Sequence, residues 1–311
     1  MLTGAGERKR WGIERLTLGI SLGGVQTPTE WQRQVAWVER AETYGLHSVW
    51  LPEMHFATGS CSRPLLSLAG FAARTSKLRL ATTSLLLPIH HPLRIAEDIA
   101  TLDALSNNRV VLGLGRGFRA PLFAGFGIDA STKRDLFDQS FEQILNAWGG
   151  RCPPMGVAAF GRKGLAQAAR YGLPYLVSPI ESLDLVEENL RFHRDALPDS
   201  VDPDSLVVPV MRTVHVAAND AEASRVHASL EAEGKRMLQG RVPKALGRAA
   251  AAGVEERAIV GTSQRVVDQI AEYRKRIGLD LLIARVEVGG VSAEERTDSL
   301  GRLVEDVMPA L

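Results

Sequence analysis

Several residue types that mark large function classes are scarce in this chain. Only two cysteines, Cys61 and Cys152, stand among 311 residues. They are too few and too far apart for a disulfide framework or a cysteine-based zinc motif. The 37 Lys and Arg residues nearly balance the 36 Asp and Glu, for a formal charge of +1. Such a balance supplies no broad field to attract nucleic acid or an anionic membrane. No apolar run is long enough to cross a bilayer. The opening stretch Met1–Trp11 has charges but no apolar core after them, unlike a secretory signal. No Gly-x-Gly-x-x-Gly dinucleotide fingerprint occurs. These absences point to a cytoplasmic protein without nucleic-acid or membrane partners.

What is present is a 45% hydrophobic chain with room for a large core. Its most informative stretch runs from Leu78 to Asp129. Leu78–Leu87 is rich in apolar and β-branched residues and stops at Pro88, as a buried parallel strand does. Pro92 suits a first helical turn, and Ile95, Ile99, Leu102 and Leu105 mark one apolar helix face. Arg109–Leu112 reads as the next strand, followed by a turn through Gly113-Leu114-Gly115-Arg116-Gly117. In such a βαβ unit, ligands bind at the carboxyl ends of the strands.

The alternation continues along the chain. Strands are expected near Leu16–Ser21, Ser48–Leu51, Leu78–Leu87, Arg109–Leu112, Gly156–Phe160, Tyr175–Val177, Val207–Val216 and Leu281–Val286. Helices are expected at Glu30–Thr43, Pro64–Thr75, Arg134–Trp148, Leu165–Tyr171, Leu183–Asp195, Asp220–Gly234, Ser263–Ile277 and within Ala293–Val307. Eight strands each followed by a helix predict an α/β fold, a single (β/α)8 TIM barrel of parallel strands. The barrel occupies residues 1–311, with 1–14 as an N-terminal extension. Ala245–Gly253 is either an insertion before the last strand or a plain surface helix.

The same residues carry a resemblance. The run LPIHHPLRIAEDIATLDALSNNRVVLGLGRG, the FGID that follows, SVWLPEMHF at Ser48–Phe56 and the terminal DVMPAL are similar to the bacterial luciferase-like, flavin-dependent monooxygenases. Weaker agreement covers Val157–Pro179 and Val260–Ile270. The resemblance implies a (β/α) barrel holding reduced FMN at the carboxyl rim. With O2, that flavin oxygenates a small organic substrate.

It also implies site residues. Arg116, a planar cation suited to phosphate, matches the family's flavin-phosphate arginine; pairing with Asp98 or Glu97 is its other reading. The turn Gly161-Arg162-Lys163-Gly164 opens a helix where the family binds phosphate, although the family more often has small hydroxyl residues there. Thr83 and Ser84 map to a non-proline cis peptide beneath the flavin ring. Glu53 and His55 lie at the end of the second strand as the catalytic candidates, His55 as acid or base. Met54 stands where bacterial luciferase has its proposed catalytic histidine, and Gly115 where luciferase has a reactive cysteine. These two departures argue against the light-emitting aldehyde reaction. The Gly149–Pro154 link is shorter than in relatives and opens one side of the pocket.

His90 and His91 are adjacent on a loop with no ligand spacing around them, so no metal site is expected. One of the two is expected to stabilise that loop or line the pocket. The missing dinucleotide fingerprint implies a separate flavin reductase, and relatives of this kind commonly pair, so a homodimer is expected. A deazaflavin-dependent dehydrogenase is the alternative on the same fold. A flavin-binding homologue without turnover is the alternative from another class.

Overall fold

The computed structural model describes residues 6–57, 59–237, 247–248 and 251–311. The chain alternates helix and strand: α1 (Glu7–Trp11), β1 (Thr17–Ser21), α2 (Pro28–Thr43), β2 (Ser48–Leu51), α3 (Pro64–Ala72), β3 (Arg79–Leu86), α4 (Pro92–Leu105) and β4 (Val110–Gly115). Next come α5 (Ala120–Gly125), α6 (Lys133–Trp148), β5 (Met155–Ala158), α7 (Arg162–Arg170), β6 (Tyr175–Leu176), α8 (Leu183–Asp195), β7 (Pro209–Val216) and α9 (Asp220–Met237). The rest is α10 (Val254–Arg257), β8 (Ala258–Gly261), α11 (Ser263–Ile277), β9 (Leu281–Arg285) and α12 (Ala293–Arg302). Two compact units divide the chain: residues 1–12 with 21–158, and residues 13–20 with 159–311.

In the first unit, β2, β3, β4 and β5 pair in sequence order, every pair parallel. Parallel neighbours need crossover helices, and α3, α4 and α6 supply them. Proline opens both α3 and α4, where a missing N–H costs no helical bond. Ile95, Ile99 and Leu102 of α4 are buried as their spacing predicts, but Leu105 is 68% exposed. It ends the helix beyond the strand layer, so its place on the apolar stripe does not bring it inside. The strand β4 runs to Gly115, so the first three residues of the expected glycine turn are strand. The chain leaves the sheet only at Arg116 and then forms α5, which the sequence reading did not contain.

The segment before β1 is built into the first unit. Trp11 is fully buried and stacks on Trp50, its ring centroid 6.3 Å away. Its indole N–H donates to Glu7, and its carbonyl meets His47 Nε2 at 2.8 Å. Arg10 reaches the carbonyls of Cys152 and Pro153, tying α1 to the short link before β5.

In the second unit, β7 lies between β8 and β9 and pairs parallel with both. The strand β8 is absent from the sequence reading. It has four residues, all buried, and starts directly after Arg257 of the short helix α10. With it, the described residues hold nine strands where eight were expected. Of the Ala245–Gly253 segment, residues 245, 246, 249 and 250 lie outside the described residues.

Candidate functional site

The carboxyl ends of β2, β3 and β4 bring most of the expected residues together in the first unit. The register of β3 against β4 shifts between Thr83 and Leu85, so Ser84 is the extra residue of a bulge. The Thr83–Ser84 peptide is cis, at the position the resemblance marked for one. Thr82 supports it from below: its hydroxyl donates to the Gly113 carbonyl at 2.9 Å and accepts from the Gly113 N–H. Gly115 lies against this bulge. A methyl there would overlap the Ser84 hydroxyl and come within 2.9 Å of Ser84 Cβ, so glycine is required by space.

Glu53 is buried and anchors the end of β2 to the same bulge, its N–H donating to the Ser84 carbonyl at 3.3 Å. Three donors converge on its carboxylate: the Leu86 N–H at 2.7 Å, His55 Nε2 at 2.9 Å and His90 Nε2 at 2.9 Å. Glu53 and His55 are thus in direct contact. His90, given only a loop or pocket-lining role in the sequence reading, is a full member of the cluster. Its signal was there: a histidine just beyond β3 on the ligand-binding side of the sheet. Among the described residues, no group of three or more His, Cys, Asp or Glu side chains is arranged to hold a metal ion.

An aromatic rim borders His55. The Phe126 ring meets the imidazole edge-on at 4.9 Å, and Phe56 lies 5.6 Å from Phe126. Phe56 is 63% exposed, and Met54, Phe118 and Phe126 are exposed too. Gly125 leaves the space that the Phe56 ring fills. Met54 is fixed through its backbone, its N–H donating to the Cys61 carbonyl at 2.8 Å. Burial pushes the Cys61 thiol up to about 11, with the Glu53 charge adding to the effect.

Arg116 follows directly from β4. Its guanidinium donates to the Ala158 carbonyl at 2.7 Å and lies 6.0 Å from the Phe137 ring. Burial brings its pKa down to about 10; the Arg134 charge lowers it further and Asp138 partly offsets this. Lys133 is lowered in turn by burial and then by Arg134 and Arg116. Arg116 after β4 and Lys133 and Arg134 at the start of α6 therefore act on one another as like charges, with Asp138 offsetting part of the effect at Arg116. An anionic group there relieves that repulsion, and the helix N-terminus favours the same charge. A flavin phosphate fits this donor set.

The Gly161–Gly164 turn belongs to the second unit. Gly161 is the N-cap of α7, with extended backbone and no side-chain cap. Its carbonyl accepts the N–H groups of Gly164 and Leu165. Arg162 pairs with Glu188 at 3.0 Å and lies over the Phe192 ring at 4.6 Å, and Lys163 is exposed. A buried carboxylate of this unit, Glu181, accepts from the Tyr175 hydroxyl at 2.5 Å and Asn189 Nδ2 at 2.7 Å. Burial raises Glu181 despite these donors and raises Tyr175 well above the usual phenol range.

This arrangement has a recognised setting. The luciferase-like monooxygenase family model matches residues 16–280. The chain belongs to that family. The oxygenase component of a flavin-dependent trigonelline monooxygenase from Acinetobacter baylyi is 23% identical over 314 residues, covering 87% of each chain. Among solved structures, the oxygenating constituent of 3,6-diketocamphane monooxygenase from Pseudomonas putida, in complex with FMN, superposes with a TM-score of 0.76. It is 17% identical, over 95% of this chain and 98% of that one. A coenzyme F420-dependent tetrahydromethanopterin reductase from Methanopyrus kandleri has a TM-score of 0.70 at 18% identity, over 95% and 99%. No helix among the described residues is long and apolar enough to cross a membrane.

Proposed function

We propose that this chain is the oxygenase of a two-component system, taking reduced FMN from a separate reductase and oxygenating a small organic molecule with O2. It works in the cytoplasm as a homodimer of single (β/α)8 barrels spanning residues 1–311. The observation that carries the reading is the convergence at the ends of β3 and β4. A glycine with no room for a side chain lies against the Thr83–Ser84 bulge of β3, and Arg116 follows directly from the end of β4. The oxygenase-component name of the trigonelline relative supports the separate reductase.

Reduced flavin, when bound, supplies the electrons that activate O2. The protein's part is to bind, orient and exclude water. Arg116, with Lys133 and Arg134, holds the phosphate in the first unit; the Gly161–Gly164 turn that opens α7 is a separate phosphate-binding candidate of the second unit. Thr83 and Ser84 form the platform for the ring. The rings of Phe56 and Phe126 cover the side of His55 and keep an apolar edge beside it. Glu53 fixes the His55 imidazole through Nε2, which leaves Nδ1 as the atom that takes or gives a proton.

The test separates phosphate from ring. Replacing Arg116→Ala removes a charge-assisted contact, so FMN affinity falls about 10- to 100-fold. Riboflavin, which lacks the phosphate, loses nothing. An equal loss for both flavins, or none for FMN, overturns the assignment of Arg116.

A further inference from the structure

We propose that His55 and His90 share the support of one carboxylate, so that His90 sets the protonation of His55 from the far side of Glu53. Both imidazoles turn Nε2 towards Glu53 Oε1, each at 2.9 Å. The Glu53 side chain is fully buried, and its other oxygen accepts the Leu86 N–H at 2.7 Å and lies 3.1 Å from His90 Nε2. One carboxylate in low dielectric stabilises one imidazolium well and a second poorly.

The two histidines face different surroundings. His55 lies against Phe56 and Phe126 at the strand ends. His90 lines a cleft of about 310 Å³ between α3 and α4, with Glu53 at its floor and Arg63, Leu66, Asp98 and Leu105 around it. The proton therefore has two sites. When it leaves His90 Nδ1 for water in the cleft, the full charge of Glu53 supports a proton taken up at His55 Nδ1. When His90 holds it, His55 stays neutral. No bond other than N–H is made or broken, and no redox partner is needed. His90 is a positioning residue acting through Glu53.

Among the described residues, three charged or titratable groups border this cluster. Arg63 comes from the start of α3, Asp98 from α4 and Cys61 from the loop before α3. Of these, the buried Cys61 thiol stays neutral through the range in which histidines titrate.

The test is an NMR titration of the histidine side chains in the flavin-free protein, with signals assigned by substitution. In the wild type, His55 and His90 are expected to share two inflections, at the same two pH values and separated by more than about one pH unit. In His90→Gln, whose amide still donates to Glu53, His55 is expected to titrate in one step near the upper of the two. Independent single inflections for the two histidines in the wild type overturn the proposal without any variant. A His55 curve unchanged by His90→Gln overturns it as well. The consequence for catalysis rests on the proposed function: the pH profile of oxygenation shifts in His90→Gln while flavin affinity does not. If the NMR curves are coupled and no oxygenation is found, the proposed function fails and the shared proton stands.

Discussion

At the residue scale, the site is defined as much by a missing side chain as by charged ones. Gly115 has no room for a methyl because Ser84 occupies that space. Gly115→Ala is therefore expected to cost about 1–3 kcal/mol of stability through overpacking, and to weaken flavin binding because Ser84 must move. Thermal unfolding and flavin titration of the variant check both, and a variant with wild-type values for both contradicts the packing account. The sequence made Gly115 visible as part of a glycine run, but not the reason for it, since the neighbour that excludes a side chain lies some thirty residues earlier. Glu53 and His55 were legible because they are close in sequence and end a strand. His90 was not given its partner, because its contact with Glu53 is set by how β3 leaves the sheet. Arg116 was legible from its resemblance alone, whereas the cations joining it from α6 become apparent only once β4 and α6 are placed.

At the element scale, buried histidines connect the elements and make stability depend on pH. Burial lowers His47, at the entry to β2, to about 4, with the nearby Arg79 charge adding to this against the bond to the Trp11 carbonyl. His193 of α8 is likewise brought to about 4, chiefly by burial. Both folded values lie below the unfolded value near 6.5, so the unfolded chain binds more protons between the two. Stability is therefore complete above about pH 6.5 and is lost as pH falls towards 4, by on the order of 3 kcal/mol per group. Urea unfolding at pH 7 and pH 4.5 measures this loss. His47→Gln is expected to reduce it by roughly half, and an identical loss in the variant contradicts the role of His47. Helices were the more legible elements, with Leu183–Asp195 and Ser263–Ile277 matching their expected bounds. The strand β8 was not, because Ala258-Ile259-Val260-Gly261 is too short to show any period and follows a helix without a turn signal.

At the scale of the whole molecule, the family match from residue 16 to 280 spans both compact units. The long strand–helix alternation was enough to define the class of fold. The proposed chemistry rests on residues at a few strand ends, most of them in the first unit. Exposed Phe56 and Phe126 give the proposed site an apolar border beside His55. The central claim is that these strand ends bind reduced FMN and control its reaction with O2. The most direct measurement is anaerobic titration of the protein with reduced FMN, followed by rapid mixing with air-saturated buffer. The account predicts saturable binding and a return of flavin absorbance delayed well beyond that of free reduced FMN. Binding with re-oxidation at the free-flavin rate, or no binding at all, contradicts it; the first outcome favours a homologue without turnover, and the second a deazaflavin enzyme.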